Sequence, residues 1–136
     1  MKIKIECEKA FKKSQRAHDE LKQYAKEAKR IILWLSKQFD FDAPAVLNMR
    51  PLYNHDGVDG YGGRAFRSNT IALNLPKIRQ NRERSGDDNW TGGLIFHECC
   101  HIAEFNMFGK AGHGKPFRML NESIAHYNSE YIKLDC

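Results

Sequence analysis

No stretch of this 136-residue chain is long and apolar enough to span a membrane. Its longest unbroken apolar run, Ile31-Ile32-Leu33-Trp34-Leu35, falls far short of the ~20 residues a spanning helix needs. The opening Met1-Lys2-Ile3-Lys4-Ile5-Glu6 lacks the apolar core and small-residue cleavage site of a secretory signal. No C-x-x-C pair occurs among Cys7, Cys99, Cys100 and Cys136, which excludes a zinc ribbon, and a disulfide framework is not expected in a reducing cytosol. Internal repeats and low-complexity tracts are missing. Gly60-Tyr61-Gly62-Gly63 has neither the strand–helix context nor the following lysine of a phosphate-binding loop and reads as a turn. These absences leave one domain over residues 1–136 with room for one hydrophobic core. The expected compartment is the cytoplasm, that of a host cell for a phage-encoded chain.

Charge is unevenly spread. Residues 1–39 hold 11 basic and 5 acidic side chains, residues 50–84 hold 7 and 3, and residues 85–136 hold 4 and 7. The basic part therefore precedes the acidic part. That balance suits a surface facing nucleic acid, and equally a solvated lysine-rich helix.

Apolar residues at helical spacing (Phe11, Leu21, Tyr24, Ala25, Ala28, Ile31, Ile32, Leu35) predict one long helix over residues 8–39, ended before Pro44. Three short strands follow at Val46–Tyr53, Gly63–Arg67 and Thr70–Leu75, linked by turn chemistry at Asn54-His55-Asp56-Gly57 and Ser68-Asn69. They predict a small three-stranded sheet of antiparallel type. Residues 76–90 read as a polar loop. A helix from about Thr91 to Phe108 follows, capped by Asp87, Asp88 or Asn89 and broken at Gly109-Lys110-Ala111-Gly112. Pro116 starts a final helix to about Tyr131. The predicted class is α+β.

The second of these helices carries His97-Glu98-Cys99-Cys100-His101, an H-E-x-x-H pattern. Residues four apart share a helix face, so both imidazoles can aim a nitrogen at one tetrahedral zinc ion. Glu98, rotated to the rim, suits a general base that takes a proton from zinc-activated water, which makes peptide hydrolysis feasible near neutral pH. Flanking apolar residues (Leu94, Ile95, Phe96, Ile102, Ala103, Phe105) fit a buried active-site helix. Cys99 and Cys100 point away from the His97/His101 face and read as small core residues.

Two residues can supply a third ligand. His113 follows the glycine break, and Glu122 sits in Asn121-Glu122-Ser123-Ile124. A His97, His101, Glu122 set resembles the thermolysin-type arrangement and would fit a regulatory peptidase that cleaves a repressor. A third reading is a non-catalytic DNA-binding module with structural zinc, which the intact Glu98 speaks against.

The segment His97 to Phe117, with Gly112-His113-Gly114-Lys115-Pro116-Phe117 at its end, resembles the SprT-like (Spartan-type) metalloprotease family. Arg67-Ser68-Asn69-Thr70-Ile71-Ala72-Leu73-Asn74 is similar to that family's strand before the active-site helix. The resemblance spans about residues 45–125. It implies a zincin-like fold, His113 as third ligand beside His97 and His101, Zn2+ as cofactor, Glu98 as catalytic base, and a protein substrate associated with DNA. Family members commonly add a C-terminal zinc ribbon or other DNA-binding extensions. None is expected here, so DNA affinity would come from the domain's own Lys/Arg surface.

Other residues carry weaker expectations. Glu104 is a partner for a ligand histidine or a solvated edge charge. His126 or Tyr127 could donate to an oxyanion, although Tyr127 at helical spacing suits the core. Arg64, Arg67, Arg79, Arg82 and Arg84 suit phosphate contacts or plain solvation. His18 and His55 have nothing to recommend them as ligands. The substrate chain is expected along the strand Thr70–Leu75.

Overall fold

The computed structural model describes residues 1–6, 15–52 and 61–134, the last four of these by backbone only. Its elements are β1 (Lys2–Ile5), α1 (Gln15–Gln38), β2 (Val46–Pro51), β3 (Gly63–Phe66), β4 (Thr70–Leu73), α2 (Leu75–Ser85), α3 (Asn89–Phe108), α4 (Lys115–Glu122) and α5 (Ile124–Leu134). The α+β class holds. Phe11, Tyr53 and His55 lie outside the described residues, as do Cys7 and Cys136.

The sheet differs from the expectation in size and direction. It has four strands in the order β1-β2-β4-β3. β1 runs parallel to β2 and β2 parallel to β4, and only β3 is antiparallel to its neighbour β4. The extra strand is the alternating Lys2-Ile3-Lys4-Ile5, which buries its isoleucines part-way and exposes its lysines. The first parallel pair arises because α1 crosses over between β1 and β2. The second arises because β3, between β2 and β4 in the chain, takes the outer edge and leaves β4 the place beside β2. β3 and β4 form a hairpin turned at Asn69, which takes φ 58 and donates its N–H to Phe66 O at 3.0 Å.

One face of the sheet offers Ile3, Ile5, Leu47, Met49, Ile71 and Leu73 to α1 and α3, which also pack on each other. α1 contributes Leu21, Tyr24, Ala25, Ala28, Ile31, Ile32 and Leu35, all buried, as the helical spacing predicts. α3 is buried without interruption from Glu98 to Glu104, so it runs through the core rather than over it. Cys99 and Cys100 are fully buried there, the Cys99 thiol 3.6 Å from Ala28 O. α5 is tied back to α1 by Trp34 Nε1 donating to Glu130 Oε2 at 2.6 Å and Tyr127 Oη donating to Glu27 Oε1 at 3.0 Å.

The region read as a polar loop is largely the helix α2. Its capping signals are in the sequence: Asn74 accepts from Lys77 N at 3.1 Å, Pro76 sits in the first turn, and Gly86 ends the helix at φ 75 with its N–H on Arg82 O. Only Leu75 and Ile78 bury, too few to give an apolar period. Tertiary contacts hold it instead, chiefly the fork of Arg79 on both carboxylate oxygens of Glu20. The final helix is two helices, α4 and α5, because Ser123 breaks the pattern with its hydroxyl bonded to Leu120 O at 2.6 Å.

Candidate metal centre and active site

α3 presents His97 and His101 one turn apart, as the i, i+4 spacing requires. The loop after Gly109 brings His113 to them. Gly109 takes φ 75 and closes α3 with its N–H on Phe105 O at 3.0 Å. The reversal therefore sits at Gly109. Gly112 and Gly114 have no positive φ.

The three imidazoles converge through their Nε2 atoms. His101 Nε2 stands 3.2 Å from His97 Nε2 and 3.2 Å from His113 Nε2. Nitrogens held at ~2.0–2.1 Å from a tetrahedral ion stand about 3.3 Å apart, so the spacing fits zinc coordination. His97, His101 and His113 form the one group among the described residues that could hold a metal ion, with ligand atoms all within 4.8 Å of one another. Three imidazoles are also a donor set that zinc favours. Burial and its two histidine neighbours push the His97 imidazole down to about 4, and burial holds His101 below the usual imidazole value despite Glu104. His97 and His101 are therefore neutral near pH 7, the form that binds metal.

Two further residues hold this arrangement, Glu104, which the sequence left undecided, and Phe117. Glu104 is buried, with its Oε1 2.9 Å from His101 Nδ1. A carboxylate accepts, so the proton belongs on Nδ1 and the Nε2 lone pair points to the cluster. The same Oε1 accepts from Gly112 N at 3.4 Å, linking α3 to the loop that carries His113. Phe117, in the first turn of α4, is buried against all three imidazoles: its ring stacks on His101 at 4.4 Å and meets His97 and His113 edge-on at 4.7 and 5.1 Å. The phenylalanine of the Gly112–Phe117 segment is thus the apolar support of the cluster.

Glu98 lies beside the histidines, its Oε1 3.9 Å from His97 Nε2, and only 4 % of its surface is exposed. Burial alone pushes its carboxyl up to about 7. Its Oε2 has no hydrogen-bond partner among the described residues. Gly63 of β3 packs against it, since a Cβ there would come 3.4 Å from Glu98 Cγ and 3.1 Å from Ala72 O. Asn74, fully buried, fixes the chain before β3: it donates Nδ2 to Tyr61 O at 2.9 Å and its N–H to Gly62 O at 2.8 Å. One asparagine therefore starts α2 and positions the wall next to Glu98.

The model of the SprT-like family matches residues 15–134. The chain belongs to the SprT-like family. No curated protein and no solved structure matches it. Family membership makes this a metallopeptidase-type domain, and the histidine cluster lies inside the matched span.

The remaining candidates sit elsewhere in this SprT-like domain. Glu122 is exposed in a separate groove with Phe108, Lys115, Arg118 and Met119, outside the histidine group. His126 is exposed and pairs with Glu130, while Tyr127 is core, edge-on to Trp34. Neither belongs to the cluster. His18 is exposed on α1 beside Asp19. Arg79 is taken up by Glu20, and Arg82 pairs with Asp88 at 2.6 Å. Arg64 lies over the Phe66 ring at 5.0 Å.

Proposed function

We propose that the domain is a zinc metalloendopeptidase of zincin-like architecture, with His97, His101 and His113 as metal ligands and Glu98 as catalytic base. The supporting observation is the convergence of three Nε2 atoms beside a buried carboxylate oxygen that has no hydrogen-bond partner among the described residues. Zinc held at these nitrogens supplies Lewis acidity, polarising a carbonyl and making water acidic enough to ionise near pH 7. Glu98 takes the water's proton on its carboxylate as the oxygen attacks the peptide carbon. It then delivers that proton to the leaving amine nitrogen, and its position outside the ligand group leaves it free for both transfers. A carboxyl titrating near the working pH is suited to each.

The strand expected to bind substrate, Thr70–Leu75, cannot do so, because β4 is paired on both sides. The sheet edge near Glu98 is β3, and an extended peptide adding to it would pass the histidines. The test is cleavage of an unstructured protein with zinc present. Glu98→Gln should lower the rate about 10²–10⁴-fold while zinc binding persists. Unchanged cleavage in that variant removes Glu98 from the mechanism.

We further propose that the proteins cut are associated with DNA. The sheet face turned away from the helices carries Lys2, Lys4, Arg50 and Arg64 in neighbouring strands, with Phe66 beneath the two guanidinium groups. Such a basic face with an aromatic platform suits phosphates and an unstacked base. Arg64→Glu should weaken binding of a fluorescent DNA oligonucleotide and flatten its salt dependence. Equal affinity for wild type and variant counts against this face.

A further inference from the structure

α3 holds two consecutive glycines, Gly92 and Gly93, although glycine is among the poorest helix formers. Packing accounts for neither, since a Cβ at either position would meet nothing within 4 Å. They line different grooves. Gly92 lines one of about 650 Å³ between α1 and α3 that contains none of the three histidines. Gly93 lines one of about 450 Å³ walled by Tyr61, Gly62, Trp90 and Leu94, which ends at His97 and Glu98. The buried Glu98 carboxylate, whose Oε2 has no hydrogen-bond partner among the described residues, is thus part of the second groove.

Beside Asn89, His97 and Glu98, that groove is walled by the apolar side chains of Tyr61, Trp90 and Leu94. Trp90 is 37 % exposed and Tyr61 81 % exposed, two aromatic side chains left to solvent beside the histidine cluster. Asn74 pins the Tyr61–Gly62 backbone from beneath. Gly62 sits so close to the wall that a Cβ would lie 3.1 Å from Trp90 Cη2 and 3.2 Å from Leu94 Cδ1. No lysine or arginine lines the groove among the described residues, so an acidic side chain would find neither of those cations there. A preformed apolar wall loses little freedom when it closes on a ligand.

We propose that this groove is the specificity subsite of the active site and receives a large apolar side chain of the substrate next to the scissile bond. Trp90 and Leu94 form its wall, and Gly93 is bare so that the side chain can lie against the helix. This rests on the peptidase reading above. Burying a leucine side chain instead of an alanine is worth about 10- to 100-fold in rate.

The test compares zinc-loaded wild type with Gly93→Leu, Gly92→Leu and Trp90→Ala on two peptides that differ only by leucine or alanine beside the cleaved bond. Wild type and Gly92→Leu should cut the leucine peptide at least about 10-fold faster. Gly93→Leu fills the groove and Trp90→Ala removes its wall, so both should cut the two peptides at similar rates. Gly92→Leu controls for helix propensity, because it changes the same residue type one position away. Retention of the leucine preference in both Gly93→Leu and Trp90→Ala would overturn the proposal, as would its absence in wild type. If wild type cuts no peptide, the peptidase reading fails and tryptophan emission decides the groove separately. Trp34 is buried in the core, so an emission change on adding the leucine peptide reports Trp90. A change lost in Gly93→Leu supports an apolar-peptide groove, and no change in wild type overturns it.

Discussion

The assignment of His113 as third ligand makes a quantitative demand on stability. Structural zinc sites with four protein ligands bind with about 10–16 kcal/mol, so one ligand is worth ~3 kcal/mol, or about 100-fold in affinity. His113 lies exposed on a loop and contacts mainly the other two histidines and Phe117. Its replacement by alanine should therefore change the metal-free fold by less than about 0.5 kcal/mol. Zinc at 100 times the wild-type dissociation constant stabilises the folded state by about 2.7 kcal/mol. The same zinc concentration only equals the variant's weakened constant and gives ~0.4 kcal/mol. At ~4 °C per kcal/mol for a chain of this size, the zinc-induced rise in melting temperature falls from about 10 °C to ~2 °C. Thermal unfolding with zinc and with a chelator measures both numbers on one preparation. Glu122→Gln, exposed in its own groove, should keep the full wild-type rise. The assignment is refuted if His113→Ala keeps the whole rise, and the rival ligand set returns if Glu122→Gln loses it.

Glu104→Gln should weaken zinc binding about 10- to 100-fold, because the histidine it orients loses a charged acceptor; competition with a chromophoric chelator reads the change. Phe117→Ala removes the ring beneath all three imidazoles and should cost about 3–5 kcal/mol of stability by urea unfolding, whereas Phe117→Leu should recover most of it. Cys99 and Cys100, fully buried with thiols pushed up by that burial, should resist iodoacetamide in the folded protein and react in denaturant; rapid labelling of either in native buffer would contradict the packing. Glu130→Gln weakens the acceptor for Trp34 Nε1 and should destabilise the fold by about 1 kcal/mol, visible as a lower urea midpoint.

What the sequence makes legible follows the range of the interaction. His97, Glu98 and His101 are ordered by helix geometry alone, so their spacing by itself states how they stand to one another. The buried face of α1 is legible for the same reason, since nine of its residues bury at helical intervals. α2 is hidden because Arg79 and Arg82 hold it through Glu20, Tyr24 and Asp88, contacts that leave no apolar period in the chain. Its ends are legible all the same, in Asn74, Pro76 and Gly86. Strand order is not, because nothing local in Gly63–Phe66 says that β4 will stand between it and β2.

The third histidine shows where the two kinds of information meet. The chain places His113 twelve residues beyond His101, far outside any helical relation, and the loop between them has no strained glycine to fix its path after Gly109. Position comes from two anchors at its flanks. Glu104 Oε1 binds the Gly112 amide on one side, and Phe117 buries its ring against the cluster on the other. Glu104 also holds His101, so one carboxylate sets the orientation of one imidazole and the reach of another. Loss of Glu104 should therefore disturb the site at two points, and a Glu104→Ala, His113→Ala double variant should lose less affinity than the two single losses combined. Additive losses in that cycle would mean that the Gly112 contact does not position His113, and that the loop is placed by Phe117 alone.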